Sequence, residues 1–299
     1  MKWLIAIVIM AVLTGVAFWF TRLPGPRQLD LVNNLIPGDG SAVLVRHDQI
    51  YDPEHRLKLD IWTPKIRTDA PLPVVIFMYG GGWHSGSKDD YAFVGRALAS
   101  RGFITVLPDY RLYPGAKFPA FLEDCAKAVA WVDDHVAEFG GDRSSIFLAG
   151  QSAGAYNAVM LALDRQWLGR EGKETSMIRG VAALAGPYDF YPFDSQRTRD
   201  SFGDYHAPEM TQPVNFVSAD TPALLLATGT ADSEVRPRNS QILASRILEA
   251  GGDAKLVEYA DIGHLDIMMA VAKPFRYKAP VLDDMVDFFN ARQHIATTK

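Results

Sequence analysis

The strongest constraint on this chain is a series of short, unbroken apolar runs: PVVIFMY at 73–79, FITVLPDY at 103–110, SIFLAG at 145–150, GVAALAG at 180–186, ALLLATG at 223–229 and AKLVEYA at 254–260. Runs of this length without alternation suit strands buried on both faces. Helical stretches separate most of them. The clearest lies within 119–139, where Phe121, Cys125, Val129, Val132 and Val136 recur at three- and four-residue steps, which also makes Cys125 part of the core. Strands alternating with helices over most of the chain predict a mostly parallel sheet covered on both faces, with right-handed crossovers. Ligands of such sheets bind at the carboxyl ends of the strands. Ahead of these runs, 42–50 and 56–62 read as an opening hairpin. In the second segment Leu57, Leu59 and Ile61 alternate with Lys58, Asp60 and Trp62, the period of a half-exposed strand.

Length alone, 299 residues, fits one large domain or two small ones, and 48% apolar residues suffice for a large core. A net charge of -5 with scattered Lys and Arg offers no basic stripe, which excludes a nucleic-acid partner. The single cysteine leaves no internal disulfide and no cysteine-based metal site.

The first twenty residues differ from the rest. After Lys2, residues 3–20 are uncharged and mostly apolar, and as a helix at ~1.5 Å per residue they would be roughly 27 Å long, about the thickness of a hydrocarbon layer. The expectation is a single-pass membrane anchor over 1–20, with the rest of the chain on the extracytoplasmic side. A cleaved signal peptide ending after Ala17 is the alternative. LPGP and IPGDG mark 21–40 as a linker, and the main folded domain is expected over 41–299.

Two connections are longer than ordinary ones, 165–176 and 188–221, and the second reads as a small cap over a site. The chemistry centres on Gly150-Gln151-Ser152-Ala153-Gly154, a G-x-S-x-G set between a buried strand and an apolar helix, the context that motif requires. A turn that tight pushes Ser152 out at the sheet edge and aims the N–H groups of the next helix at whatever it attacks. A serine hydroxyl needs a base, and the base needs a group to orient it. Of seven histidines, His264 in ADIGH follows the last strand and is favoured, with His84 second; His47, His55, His135, His206 and His294 read as surface or packing residues. Asp232, in the loop after 223–229, is the expected acid, with Glu234 as its substitute. The order Ser152, Asp232, His264 is that of α/β-hydrolases.

The glycines of FMYGGGWHSGSK follow the 73–79 strand. Gly81 and Gly86 have P-loop spacing, but Ser87 stands where lysine is required and Lys88 comes one residue late. The remaining reading is an oxyanion hole, with N–H groups from Gly80-Gly81-Gly82 and from Ala153.

Together YGGGW, DYRLYP, GQSAGA, TGTAD and GH resemble the hormone-sensitive-lipase-like and carboxylesterase or feruloyl-esterase branch of the α/β-hydrolase family, which includes kynurenine-formamidase-like enzymes. The resemblance spans 73–265. It implies an eight-stranded sheet, no cofactor or metal, and hydrolysis of small-molecule esters with small to medium acyl groups. By motif match, Ser152, Asp232 and His264 take the triad positions, and Gly81, Gly82 and Ala153 the oxyanion hole. Tyr79 stands where the family usually has histidine, a change that bears on substrate preference more than on activity. Trp83, Tyr113 and Phe118 either line the substrate pocket or pack beneath a loop, and Asp109-Tyr110-Arg111 is a structural brace or a substrate contact. An arylformamidase or amidase is the alternative enzyme, and a non-catalytic binding module the alternative from another class.

Overall fold

In the computed structural model, residues 2–66 and 70–293 are described. The expected hairpin supplies two strands and the six short apolar runs the other six: β1 (Ala42–Asp52), β2 (Leu57–Pro64), β3 (Leu72–Met78), β4 (Ile104–Pro108), β5 (Gly141–Gln151), β6 (Ile178–Leu184), β7 (Leu224–Gly229) and β8 (Ala254–Tyr259). They form one eight-stranded sheet in the order β1-β2-β4-β3-β5-β6-β7-β8. The β1–β2 and β2–β4 pairs are antiparallel and the others parallel. After β3 the chain moves to one side for β4, then returns to the other side of β3 for β5. The loops that leave β3 and β5 therefore diverge, and a crevice opens between them at the strands' carboxyl ends.

The helices are α1 (Lys2–Arg22), α2 (Gly25–Leu35), α3 (Ala92–Ala99), α4 (Ala120–His135), α5 (Ala153–Leu163), α6 (Gln166–Arg170), α7 (Gln196–Phe202), α8 (Arg238–Glu249), α9 (His264–Met269) and α10 (Val281–Asn290). α5 is apolar nearly all round and every one of its residues is buried, so it is enclosed by packing on all sides. α4 buries the stripe expected of it, including Cys125, which is fully buried.

Four expectations need correction. Among the described residues no helix is long and apolar enough to cross a membrane. The transmembrane anchor over 3–20 and the single-pass membrane placement built on it are therefore withdrawn. Second, 21–40 is not an open linker: Pro24 and Pro26 start α2. A proline is well placed in a helix's first turn, where its missing N–H costs nothing. The buried carboxylate of Asp30 pairs with Arg96, and Asn33 Oδ1 accepts the Lys273 N–H at 2.8 Å, which ties α2 to the domain.

Third, β2 is buried along nearly its whole length instead of half-exposed. Arg96 of α3 lies over the Trp62 ring, and Asp60 is paired inside the protein with Lys88. Fourth, β8 is half-exposed instead of buried on both faces, because it is the last strand of the sheet and has a neighbour on one side only.

Candidate active site

The nucleophile turn joins β5 to α5. Ser152 has φ 55° and ψ -121°, a left-handed backbone that costs a non-glycine residue about 1–3 kcal/mol and persists only where its surroundings enforce it. Enforcement is visible on both flanks. A Cβ on Gly150 would lie 2.4 Å from the Gly154 carbonyl oxygen, and one on Gly154 would lie 2.0 Å from the Met78 carbonyl oxygen. Both glycines are crowded by backbone, which presses the turn against the end of β3. The Ser152 N–H donates to the Leu184 carbonyl at 2.8 Å, which fixes the turn to β6 as well.

His264 begins α9, and Asp266 Oδ2 accepts the Gly263 N–H at 3.1 Å, bracing the chain as it enters that helix. The imidazole is buried. Its Nδ1 lies 2.7 Å from Asp232 Oδ2, and its Nε2 lies 2.9 Å from Ser152 Oγ. Asp232 is held in turn: its Oδ1 accepts the Glu234 N–H at 2.9 Å and the Val235 N–H at 2.8 Å. Main-chain bonds from Thr230 to Tyr259 and from Ala231 to Ile262 hold together the loops that carry Asp232 and His264. A proton on Nδ1, facing the carboxylate, leaves Nε2 as the acceptor for the serine proton. Glu234 contributes its backbone to this arrangement, and its side chain is exposed.

The glycine loop leaves β3 beside the turn. Gly81 has φ +129°, and a Cβ there would meet the Ser85 carbonyl oxygen at 2.0 Å, so only glycine fits. Among the described residues no intramolecular hydrogen bond uses the N–H groups of Gly81, Gly82 or Ala153. Tyr79, at the position of the family's histidine, is buried. It stacks on Tyr110 with ring centroids 4.4 Å apart, and the Tyr110 hydroxyl donates to the Tyr79 carbonyl at 2.7 Å. Burial pushes both phenols well above their ordinary range, so they stay neutral supports under the loop.

Among the described residues no other histidine takes part in this relay. His84 stacks on Tyr113 outside the relay. His47 and His55 bond Asp60 and Asp52, His135 bonds the Trp131 carbonyl, and His206 packs against Tyr205; His294 lies outside the described residues. Trp83 is buried, and its Nε1–H donates to Asn157 at 3.1 Å. Around it lie Phe202 at 4.7 Å and Tyr156 at 5.3 Å, and Phe118 packs against Phe202 at 5.5 Å. Phe190 and Phe202 come from 188–221, so this connection packs onto the glycine loop through Trp83. Arg111 makes a forked pair with the fully buried Asp124, at 2.8 and 2.7 Å, which is the structural brace.

One residue of the site went unnoticed in the sequence. The Gln151 side chain is buried against Gly80, with Nε2 3.3 Å from His264 Nε2. Its position, last in the strand and just before the nucleophile, was the available signal.

The chain is similar to known esterases in sequence and in fold. The chain is 28% identical over 278 residues to isoprenylcysteine alpha-carbonyl methylesterase ICME of Arabidopsis thaliana, covering 85% of this chain and 64% of that protein. It is 29% identical over 245 residues to esterase LipC of Mycobacterium tuberculosis, covering 74% of this chain and 58% of that protein. It thus spans roughly three fifths of the length of these two relatives. Thermogutta terrifontis esterase 2 phosphorylated by paraoxon has the same fold, with a TM-score of 0.72 at 22% identity over 90% of this chain and 97% of that one. The BD-FAE family model matches residues 59–247, from β2 to α8, and that match includes both the nucleophile turn and the Asp232 loop. On that match the chain belongs to the BD-FAE family.

Proposed function

We propose that the protein is a serine hydrolase of carboxylic esters with small to medium acyl groups. The observation that carries the reading is the Ser152–His264–Asp232 relay, at 2.9 and 2.7 Å, beside three amide N–H groups without internal partners among the described residues. Ser152 Oγ attacks the ester carbonyl while His264 Nε2 takes its proton. The carbonyl oxygen becomes an oxyanion held by the N–H groups of Gly81, Gly82 and Ala153, and such a cradle is worth about 10²–10³ in rate per donor. His264 then protonates the leaving alcohol, and water repeats the cycle on the acyl-enzyme. Asp232 holds the tautomer and stabilises the imidazolium. Each step uses side chains, backbone amides and water. The relatives' names, a methylesterase and an esterase, point to the same bond, and the acyl size follows from the family resemblance. A binding module would have no need of an intact relay.

Hydrolysis of p-nitrophenyl acetate tests the reading. Wild type turns it over, and Ser152→Ala loses on the order of 10⁶ in kcat. Equal rates in the two proteins would refute the assignment.

A further inference from the structure

A cavity of about 350 Å³ lies between α2 and α9, within the size range of small-molecule sites. Leu29 and Val32 of α2 form one wall, and Leu265, Met268 and Met269 of α9 form the other. Among the described residues no charged side chain lines it, and its amides are those of Gln28 and Gln151. Two features connect it to the reacting groups. Residues four apart on a helix share a face, so Met268 lies one turn beyond His264 on the same side, flanked by Leu265 and Met269. Gln151 and Tyr91 also line the cavity, and both touch Gly80 at the start of the glycine loop; Gln151 reaches to 3.3 Å from His264 Nε2 as well. Leu265, one of its lining residues, is 63% exposed, so this wall reaches the protein surface.

We infer that this cavity receives the alkoxy chain of an aliphatic ester, the part that departs as the alcohol; the inference rests on the esterase reading above. In acylation the bond from Ser152 Oγ to the carbonyl carbon forms and the carbon–alkoxy bond breaks. The serine proton passes through His264 Nε2 to the departing oxygen, which leaves as a neutral alcohol. That oxygen must come within about 3 Å of Nε2. Its chain therefore extends from the His264 side of the reacting carbon, and that side holds the apolar wall of α9. A wall of Leu, Val and Met without charge selects a hydrocarbon chain over a sugar or a charged alcohol.

The test is kcat/KM for acetate esters of straight-chain alcohols from methyl to octyl, set beside methyl esters of acids of the same lengths. The wild-type expectation is a rise of about three- to fourfold per added methylene along the alcohol series, as expected for ~0.8 kcal/mol per buried CH₂, and a smaller slope along the acyl series. Val32→Trp fills the cavity and should flatten the alcohol slope. Val32→Ser, a smaller disturbance to folding, should lower it, and the readout in each variant is its own octyl-to-methyl ratio. A flat alcohol series in a protein active on methyl acetate overturns the inference and leaves the esterase reading standing. An acyl slope that Val32→Trp abolishes, beside an unaffected alcohol slope, overturns it too. Inactivity towards every ester, p-nitrophenyl acetate included, overturns both.

Discussion

At Lys88 an ammonium group, 1% exposed, meets Asp48 at 2.7 Å, Asp89 at 2.8 Å and Asp60 at 2.9 Å. At Ser152 a hydroxyl meets an imidazole backed by a buried carboxylate, at similar distances. The two clusters differ in how they end. Burial alone would lower the Lys88 pKa, but the three carboxylates override it and hold the ammonium above its usual range. All three of its donors are used, so nothing is left to act on a ligand. The relay instead stops at the Ser152 hydroxyl, half-buried at the sheet edge beside N–H groups that no acceptor among the described residues satisfies. Buried polar groups closed on themselves hold a fold together, whereas a chain of them with one open end can move a proton.

That contrast can be broken from either side. Asp232→Asn should cost about 10⁴ in kcat through the wrong imidazole tautomer, with little loss of stability. Steady-state kinetics beside a melting curve separates the two effects. Lys88→Met should do the reverse, leaving Asp60 buried without its cation at a cost of about 3–5 kcal/mol by chemical denaturation, with kcat/KM of the folded fraction little changed. If Lys88→Met removed activity while stability held, the Lys88 cluster would not be the closed, structural one.

Asp109 gives a smaller and pH-dependent test. Burial raises its carboxyl to about 6, although its Oδ1 accepts the Lys88 N–H at 2.8 Å. In the unfolded chain the group titrates near ~3.9, so the folded state binds the extra proton between the two values. Ionising it therefore costs stability as pH rises from about 4 through 6, and the cost is complete above that. Asp109→Asn keeps an acceptor for the Lys88 N–H and removes the cost. The variant should be more stable than wild type by about 1–2 kcal/mol at pH 8, with the gap closing towards pH 4. Denaturation at several pH values checks this, and a gap that widens on acidification would contradict it.

Much of the fold was readable because burial on both faces leaves a simple mark. The 73–79 run is β3 and the 223–229 run is β7, and the Ser152 turn stands where glycine spacing put it. The missed features depend on what a segment meets in space. Asp60 looked solvent-facing because strand alternation carries no information about Lys88, which is distant in sequence. Prolines around α2 read as linker punctuation, although a proline at a helix start is favourable and the partners of Asp30 and Asn33 lie in α3 and beyond 270. Gln151 was passed over as a variable position of its motif, and only the fold brings it against His264.

The central claim is that Ser152, activated by His264, is the nucleophile. Mass spectrometry after treatment with a fluorophosphonate tests it most directly. The account predicts one adduct per chain, on the peptide that contains Ser152, absent in Ser152→Ala and formed far more slowly in His264→Ala. An unlabelled wild-type protein, or an adduct on any other residue, would contradict it.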